Sequence, residues 1–188
     1  METLDAVALN GGGYQGATGL LNHPIASPTP AEDRAVSSNA TKTFATATTE
    51  EIRTMINNEI SSLISESKEV VGRILTEGMT VYLPIAQYSL MSDKYVMNTD
   101  KSLMKSMMDD NPWTTFTGMP LNFVQVAELD DKMIVSLKSS RVCEMGVSIM
   151  PRVVKVMDAG RWFKVQTESK FSELFVKRPN LIRYTTGI

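Results

Sequence analysis

Residues 48–78 have the sequence TTEEIRTMINNEISSLISESKEVVGRILTEG, which predicts the longest element of the fold. Thr48 and Glu51 match a capping box, in which a threonine hydroxyl and a glutamate three residues later satisfy free amides at a helix start. Apolar residues then recur with the period of one helix face. They are Ile52, Met55, Ile56, Ile60, Leu63, Ile64, Val70, Val71, Ile74 and Leu75. We therefore expect one long amphipathic helix over residues 49–77, about 40 Å in length at about 1.5 Å per residue.

The residues before this helix have a composition of their own. Residues 1–48 contain Gly11-Gly12-Gly13 and are rich in Ala, Ser and Thr, with four acidic and two basic side chains. Large apolar residues are few and aperiodic, so the segment buries too little apolar surface to fold alone. We expect a flexible, extended N-terminal arm whose spaced apolar side chains contact another surface. The candidate anchors are Tyr14, Leu20, Leu21, Ile25 and Phe44.

The residues after the helix, 79–188, carry the signals of short strands and tight turns. A short helix over residues 101–108 interrupts them, with Asp100 as its cap and Asn111-Pro112 at its end. Strands are predicted at Met79–Leu83, Ile85–Leu90 and Tyr95–Met97, and short edge strands at Leu174–Val176 and Leu181–Tyr184.

Two hairpins are predicted in the same region. The first joins Leu121–Glu128 to Lys132–Leu137 through an acidic turn. The second joins Val147–Met157 to Arg161–Glu168 at Asp158-Ala159-Gly160, where we expect a left-handed glycine to form a bulge.

Together these elements predict a chain of the α+β class. A flexible arm over residues 1–48 precedes a single domain over residues 49–188. In that domain the long helix packs on an antiparallel β-meander or sandwich, which contains the short helical insertion.

Composition excludes several classes of protein. The chain has 188 residues with 43% hydrophobic residues and a formal net charge of −2, so it is neither wholly disordered nor a strongly basic nucleic-acid coat. It contains no apolar run of about 18 residues, which a membrane-spanning helix requires. The start, Met1-Glu2-Thr3-Leu4-Asp5, is acidic and lacks the apolar core of a secretion signal. We expect cytoplasmic synthesis, with incorporation into a virion if the chain is a particle component.

Charge is divided along the chain. Residues 49–137 carry thirteen acidic and seven basic side chains, a net charge of −6, and residues 138–188 carry four acidic and ten basic ones, a net charge of +6. This division has three interpretations: a solvated surface, a head-to-tail contact between copies, or a basic sheet that faces nucleic acid. We favour subunit contacts through Lys155, Arg161, Lys164, Lys177 and Arg178.

Aromatic residues provide further candidate contacts. Trp162 and Phe163 lie between Arg161 and Lys164, as in a platform that stacks on bases, but we expect the two rings to divide between core and interface. The short helix carries Met104, Met107 and Met108 close in sequence to Trp113. Methionine suits irregular cores and adaptable contact surfaces alike, so both roles stay open for these side chains.

The sequence offers no catalytic constellation. His23 is the only histidine and lies in the predicted arm, so Cys143 has no evident partner base. The acidic pairs Glu50-Glu51, Asp109-Asp110 and Asp130-Asp131 have helix and turn roles. The glycine-rich segment lacks the lysine of a phosphate-binding loop. We therefore predict no enzyme activity, no cofactor and no metal.

The sequence favours a structural subunit of an assembly, of the capsid, connector, tail or matrix type found in viral and phage particles. In this hypothesis the arm laces neighbouring copies, the partners are copies of this chain, and other assembly subunits stay open. Two alternatives remain: an adaptor or regulatory module that binds other proteins, and a small nucleic-acid-binding protein that uses the basic C-terminal sheet. Nucleic acid is the less favoured partner.

Overall fold

The computed structural model describes residues 43–66, 78–129, 131–158, 160, 162–178 and 181–188. Helices and antiparallel-rich sheets are both present, which confirms the predicted α+β class. In chain order the elements are α1 (Thr49–Glu66), β1 (Met79–Leu83), α2 (Ile85–Asp93), α3 (Leu103–Asp109), α4 (Pro112–Thr117), β2 (Leu121–Gln125), β3 (Lys132–Leu137), β4 (Cys143–Asp158), β5 (Phe163–Val176) and β6 (Ile182–Thr186).

Helix α1 begins with the predicted capping box. The Thr48 backbone N–H donates to Glu51 Oε2 at 2.8 Å, and the Glu51 N–H donates to Thr48 Oγ1 at 3.3 Å. Ile52, Ile56 and Ile60 are fully buried on one face of the helix, as the period of the sequence predicts. Helix α1 contacts α3, α4 and the strand β6. The predicted continuation of the helix over residues 67–77 lies outside the described residues.

Replacing Thr48 with alanine removes the reciprocal cap and should lower the free energy of unfolding by about 1 kcal/mol. Thr54→Ala is the matched control, because Thr54 is exposed in the same helix and alanine favours the helix interior. Urea unfolding followed by circular dichroism measures both. Equal losses in the two variants would contradict a role for the cap.

A four-stranded sheet forms the centre of the fold, with the strand order β2-β1-β3-β6. Strand β1 pairs in parallel with β2 and antiparallel with β3, so Val81 lies opposite both Phe123 and Val135. The predicted hairpin of Leu121–Glu128 with Lys132–Leu137 is therefore wrong, because β1 lies between the two strands. The continuous apolar run of β3 suits a strand that has neighbours on both sides.

Two other predicted strands are also wrong. Ile85–Leu90 lies in helix α2, which follows Pro84 and contains the good helix formers Ala, Gln, Leu and Met. Tyr95–Met97 forms a single antiparallel bridge, from Tyr95 to Ser102, and is not a strand in the structure. In both cases a short apolar run was ambiguous between strand and helix.

The short helical insertion is confirmed as α3, but its cap differs from the prediction. The Ser102 hydroxyl, rather than Asp100, accepts a hydrogen bond from the Lys105 N–H at 3.3 Å. Asn111-Pro112 follows the end of α3 as expected, and it also begins α4. The Asn111 side chain accepts from the Thr114 N–H and donates to the Met107 carbonyl, which joins the two helices.

The second hairpin is confirmed and is longer than predicted. Strands β4 and β5 pair antiparallel over their whole length, and Gly160 in the turn has the expected left-handed φ of 81°. Leu174–Val176 belongs to β5 rather than to a separate edge strand. Leu181–Tyr184 overlaps β6, which is an edge strand of the central sheet.

The folded body begins before the predicted boundary at residue 48. Phe44 is fully buried and Ala47 is 4% exposed, and both belong to the core. The Lys94 ammonium donates to the Phe44 and Ala47 carbonyl oxygens at 2.7 and 2.6 Å, which ties this segment to the end of α2. Residues 1–42 of the predicted arm lie outside the described residues.

Candidate assembly interface

The β4–β5 hairpin is anchored at its base and exposed over its outer part. At the base, Leu174 and Val176 are 8% and 6% exposed and join the core. The outer ribbon is defined here as residues 152–157 and 162–168. All of its residues except residue 157 are exposed. No other strand of the described residues pairs with this two-stranded ribbon, and an isolated two-stranded ribbon is marginally stable in water. This part of the chain is therefore the candidate contact surface.

Strand register divides the outer ribbon into two faces. Val156 lies opposite Val165, and Val153 lies opposite Thr167. Directly opposed residues of antiparallel strands share a face. The register shift between Val153 and Lys155 is a bulge, which brings Val153 to the same face as Val156. Phe163 is on this face too, since it lies two residues from Val165.

This apolar face, formed by Val153, Val156, Phe163 and Val165, is open to solvent in the single chain. The four side chains are between 50% and 73% exposed. Trp162, in the turn next to them, is 77% exposed. Contiguous exposed apolar side chains of this kind mark interaction surfaces in soluble proteins.

The opposite, polar face carries charged and amide groups. Lys155 lies opposite Gln166, and Arg152 lies opposite Glu168, with which it forms an ion pair at 3.1 Å. Lys164 is also exposed on this face. The outer ribbon is therefore amphipathic, with one face suited to a dry contact and the other to solvent.

Several predicted contact residues lie in the core instead. Phe44, Met107 and Trp113 are fully buried, and Met104 is 7% exposed. Met108 is partly buried against the same core. The structure thus gives these side chains a packing role within the chain, and they do not form a contact surface on the short helix.

The remaining predicted contact residues fall into three groups. Lys155, Trp162 and Lys164 are exposed on the outer ribbon. Lys177 forms an ion pair with Glu144 at 2.7 Å, and Arg178 is half-buried beside the base of the ribbon. Tyr14, Leu20, Leu21, Ile25 and Arg161 lie outside the described residues.

Sequence reasoning missed the valines of the apolar face and misplaced the aromatic pair. Trp162 and Phe163 are both exposed, whereas one of them was expected in the core. The alternation of Phe163, Val165 and Thr167 with polar residues did signal an amphipathic strand. It could not show that the apolar side is uncovered, because that depends on whether another layer packs there.

The titratable groups of the described residues have structural surroundings. Burial raises the pKa of the Cys143 thiol, which keeps it protonated and opposes a nucleophilic role. Burial, and then the neighbouring Cys143, also raise the pKa of Tyr82 and of Tyr184. Hydrogen bonds from Lys101 and Lys105 hold the pKa of Asp109 below its ordinary value. His23 lies outside the described residues.

The described residues hold neither a grouped set of metal ligands nor a helix that could cross a membrane. Within them, no three histidine, cysteine or carboxylate side chains are grouped so that they could hold a metal ion. The described helices include none with the length and apolar character needed to cross a membrane.

Among the described residues, an α+β body carries an amphipathic ribbon with an exposed apolar face, and such faces are typical of subunits that contact other chains. Comparison of the sequence with the profiles of protein families identifies the kind of subunit. The sequence profile of major capsid proteins matches residues 1–188, and the chain belongs to the major capsid protein family. The predicted structural subunit of a virus particle is thereby confirmed, as the capsid type. No matching relative is found among the curated proteins.

Solved structures with a similar fold come from assembled particles. The chain resembles the capsid of Myoviridae phage XM1 with a TM-score of 0.69 and 17% identity, over 98% of this chain and 60% of that chain. It also resembles the virus-like particle from Pyrococcus furiosus, with a TM-score of 0.50 and 13% identity, over 77% of this chain and 53% of that one. The chain thus spans about 60% of the phage XM1 chain's length.

Proposed function

We propose that this chain is a structural, non-enzymatic subunit that associates with copies of itself to build the shell of a virus particle. The observation that carries the proposal is the family match over all 188 residues, which agrees with the fold shared with particle-forming proteins. The raised pKa of Cys143 adds support, since it disfavours the one thiol that could act as a nucleophile. The subunit would be made in the cytoplasm and incorporated in the virion.

We further propose that residues 1–42 form an arm that laces neighbouring subunits together. Its support is compositional: few charges, many small residues and apolar anchors such as Tyr14, Leu20 and Ile25 at wide spacing. The buried Phe44 sets the point where the arm would leave the folded body. Contacts of this kind favour assembly without adding to the core of one subunit.

The division of charge supports a smaller contribution from ion pairs between subunits. Exposed Lys155 and Lys164 can meet acidic surface from residues 49–137 of a neighbour. Lys177 and Arg152 already have acidic partners within the chain, which reduces the number of cations available. Charge pairs at the rim of a contact contribute about 0–1 kcal/mol each, so they adjust assembly rather than drive it.

Nucleic acid is a second candidate partner, because exposed Trp162 lies close to exposed Lys164 on the ribbon. Such binding would weaken steeply with salt. No observation in the structure favours the adaptor alternative over assembly.

Light scattering and electron microscopy of the purified chain over a range of concentrations test the proposal. We expect rings, tubes or shells from the full chain. Removal of residues 1–42 should leave the thermal unfolding transition unchanged, because Phe44 and Ala47 remain, and should weaken association. A full chain that stays monomeric at all concentrations would refute the assembly function, and a truncated chain that assembles normally would refute the lacing arm.

A further inference from the structure

We infer that the apolar face of the outer ribbon is a contact surface for a second copy of this chain, and that the polar face is left at the edge of the contact. This inference rests on the proposed self-assembly and specifies which surface carries it. The two faces lie on the same strands and differ only in which way the side chains point, so they can be tested against each other.

First, in the single chain, the outer ribbon leaves apolar surface in water that a partner could bury. Val153, Val156, Phe163 and Val165 have at least half of their surface in water, although their strands contain fourteen and sixteen residues. Each of these side chains forgoes part of the stabilisation that full burial would supply. A ribbon of this length gains stability when another surface covers that face.

The second step is the identity of the covering surface. The chain belongs to a family whose members form capsids, so copies of the same chain are its natural neighbours at high local concentration. Charges of both signs, here Arg152, Lys164 and Glu168, lie on the opposite face of the same strands, so a protein surface can cover the apolar side chains while these charges stay in water. Nucleic acid would instead use the lysines of the polar face and leave the valines in water.

The third step is the bulge between Val153 and Lys155. Without the register shift, residues 153 and 156 would point to opposite sides of the ribbon, because side chains alternate along a strand. The shift brings both valines to one face and keeps Lys155 on the other. With regular alternation Val154 would share the face of Val156, so the register shift determines that Val153 takes that place and does not by itself lengthen the apolar face.

Two neighbouring residues provide the matched variants. Val165→Glu places a carboxylate in the middle of the apolar face, and Gln166→Glu places one on the polar face at the next position of the strand. Both side chains are exposed in the single chain, so both variants should fold with the thermal transition of the wild type. We expect Val165→Glu to raise the concentration needed for assembly at least about tenfold, since a charge would have to be buried unpaired. Gln166→Glu should stay within about threefold of the wild type, as a rim position.

Thiol labelling identifies the covering surface. In a Cys143→Ser background, Val156→Cys and Lys155→Cys each introduce one thiol on opposite faces. We expect the thiol at position 156 to react with maleimide in the monomer and to be protected in the assembled particle, while the one at 155 stays reactive in both. This pattern, together with the assembly difference, supports contact with a second copy.

Four results would overturn the inference. Protection at position 156 in the monomer would show that the same chain covers the face, and protection only after nucleic acid is added would identify nucleic acid as the partner. Normal assembly of Val165→Glu, or equal loss in both glutamate variants, would remove the special role of the apolar face. The last two results leave wild-type assembly intact, so they do not contradict the proposed function. A wild-type chain that never assembles would refute both the proposed function and this inference.

Discussion

Replacing Trp113 with alanine should lower the free energy of unfolding by about 3–5 kcal/mol, the usual loss for a buried aromatic side chain. Trp113 is fully buried in the core, on the short helix α4 that packs against α1. Its removal leaves a cavity between these helices that the surrounding side chains fill only in part. Urea unfolding followed by circular dichroism measures the loss.

The chain contains its own control, since Trp162 is 77% exposed in the ribbon turn. Trp162→Ala should change the free energy of unfolding by less than about 0.5 kcal/mol, as is usual for exposed positions. Trp113→Phe should be milder than the alanine variant, because a phenyl ring still fills much of the space, while both variants remove an indole N–H that is buried without a hydrogen-bond partner among the described residues. If Trp162→Ala destabilised the monomer as much as Trp113→Ala, the assignment of one ring to the core and the other to the surface would be wrong.

These two tryptophans show how far the sequence could predict the contact surface. Both were candidate contacts from the sequence, which left a core role open for each. Burial depends on which elements pack against each ring, and that is a property of the whole fold. Trp113 is fully buried on a short helix that contacts α1, whereas Trp162 at the hairpin turn is exposed.

The predictions that succeeded depend on local physics. The capping box at Thr48 and Glu51, the stripe of isoleucines in α1 and the left-handed Gly160 each involve residues close in sequence. They are decided by backbone hydrogen bonds and helix or turn geometry before any tertiary contact forms. The structure reproduces each of them.

The predictions that failed concern pairing between distant segments. The sequence analysis joined Leu121–Glu128 to Lys132–Leu137 because they are adjacent in the chain and separated by turn residues. The structure places β1 between them, in parallel with one strand and antiparallel with the other. A parallel pair requires a long crossover connection, and the helices α2 to α4 supply it. The error at Ile85–Leu90 concealed that crossover, since a strand was expected where its first helix lies.

The second large effect is expected at a buried ion pair that fixes α1 to the edge of the sheet. Arg183 on β6 donates from Nε to Glu59 Oε2 at 2.9 Å, and the two side chains are only 13% and 2% exposed. Arg183 is one of the ten basic residues of the segment 138–188, and this acidic partner lies within the chain. Removing one member leaves the other charge in a poorly solvated site.

Glu59→Gln, which keeps the shape of the side chain and removes its charge, should therefore lower the free energy of unfolding by about 3–5 kcal/mol, and Arg183→Met should do the same. The double variant Glu59→Leu with Arg183→Met should lose less than the sum of the single changes, since no charge remains buried.

Arg152→Met is the control, because its ion pair with Glu168 is 65% and 44% exposed and should contribute about 0–1 kcal/mol. Thermal and urea unfolding of the unassembled subunit separate these cases. If Arg183→Met and Arg152→Met lowered the free energy of unfolding equally, burial would not govern the strength of these ion pairs. If the losses at Glu59 and Arg183 were strictly additive, the two side chains would act independently.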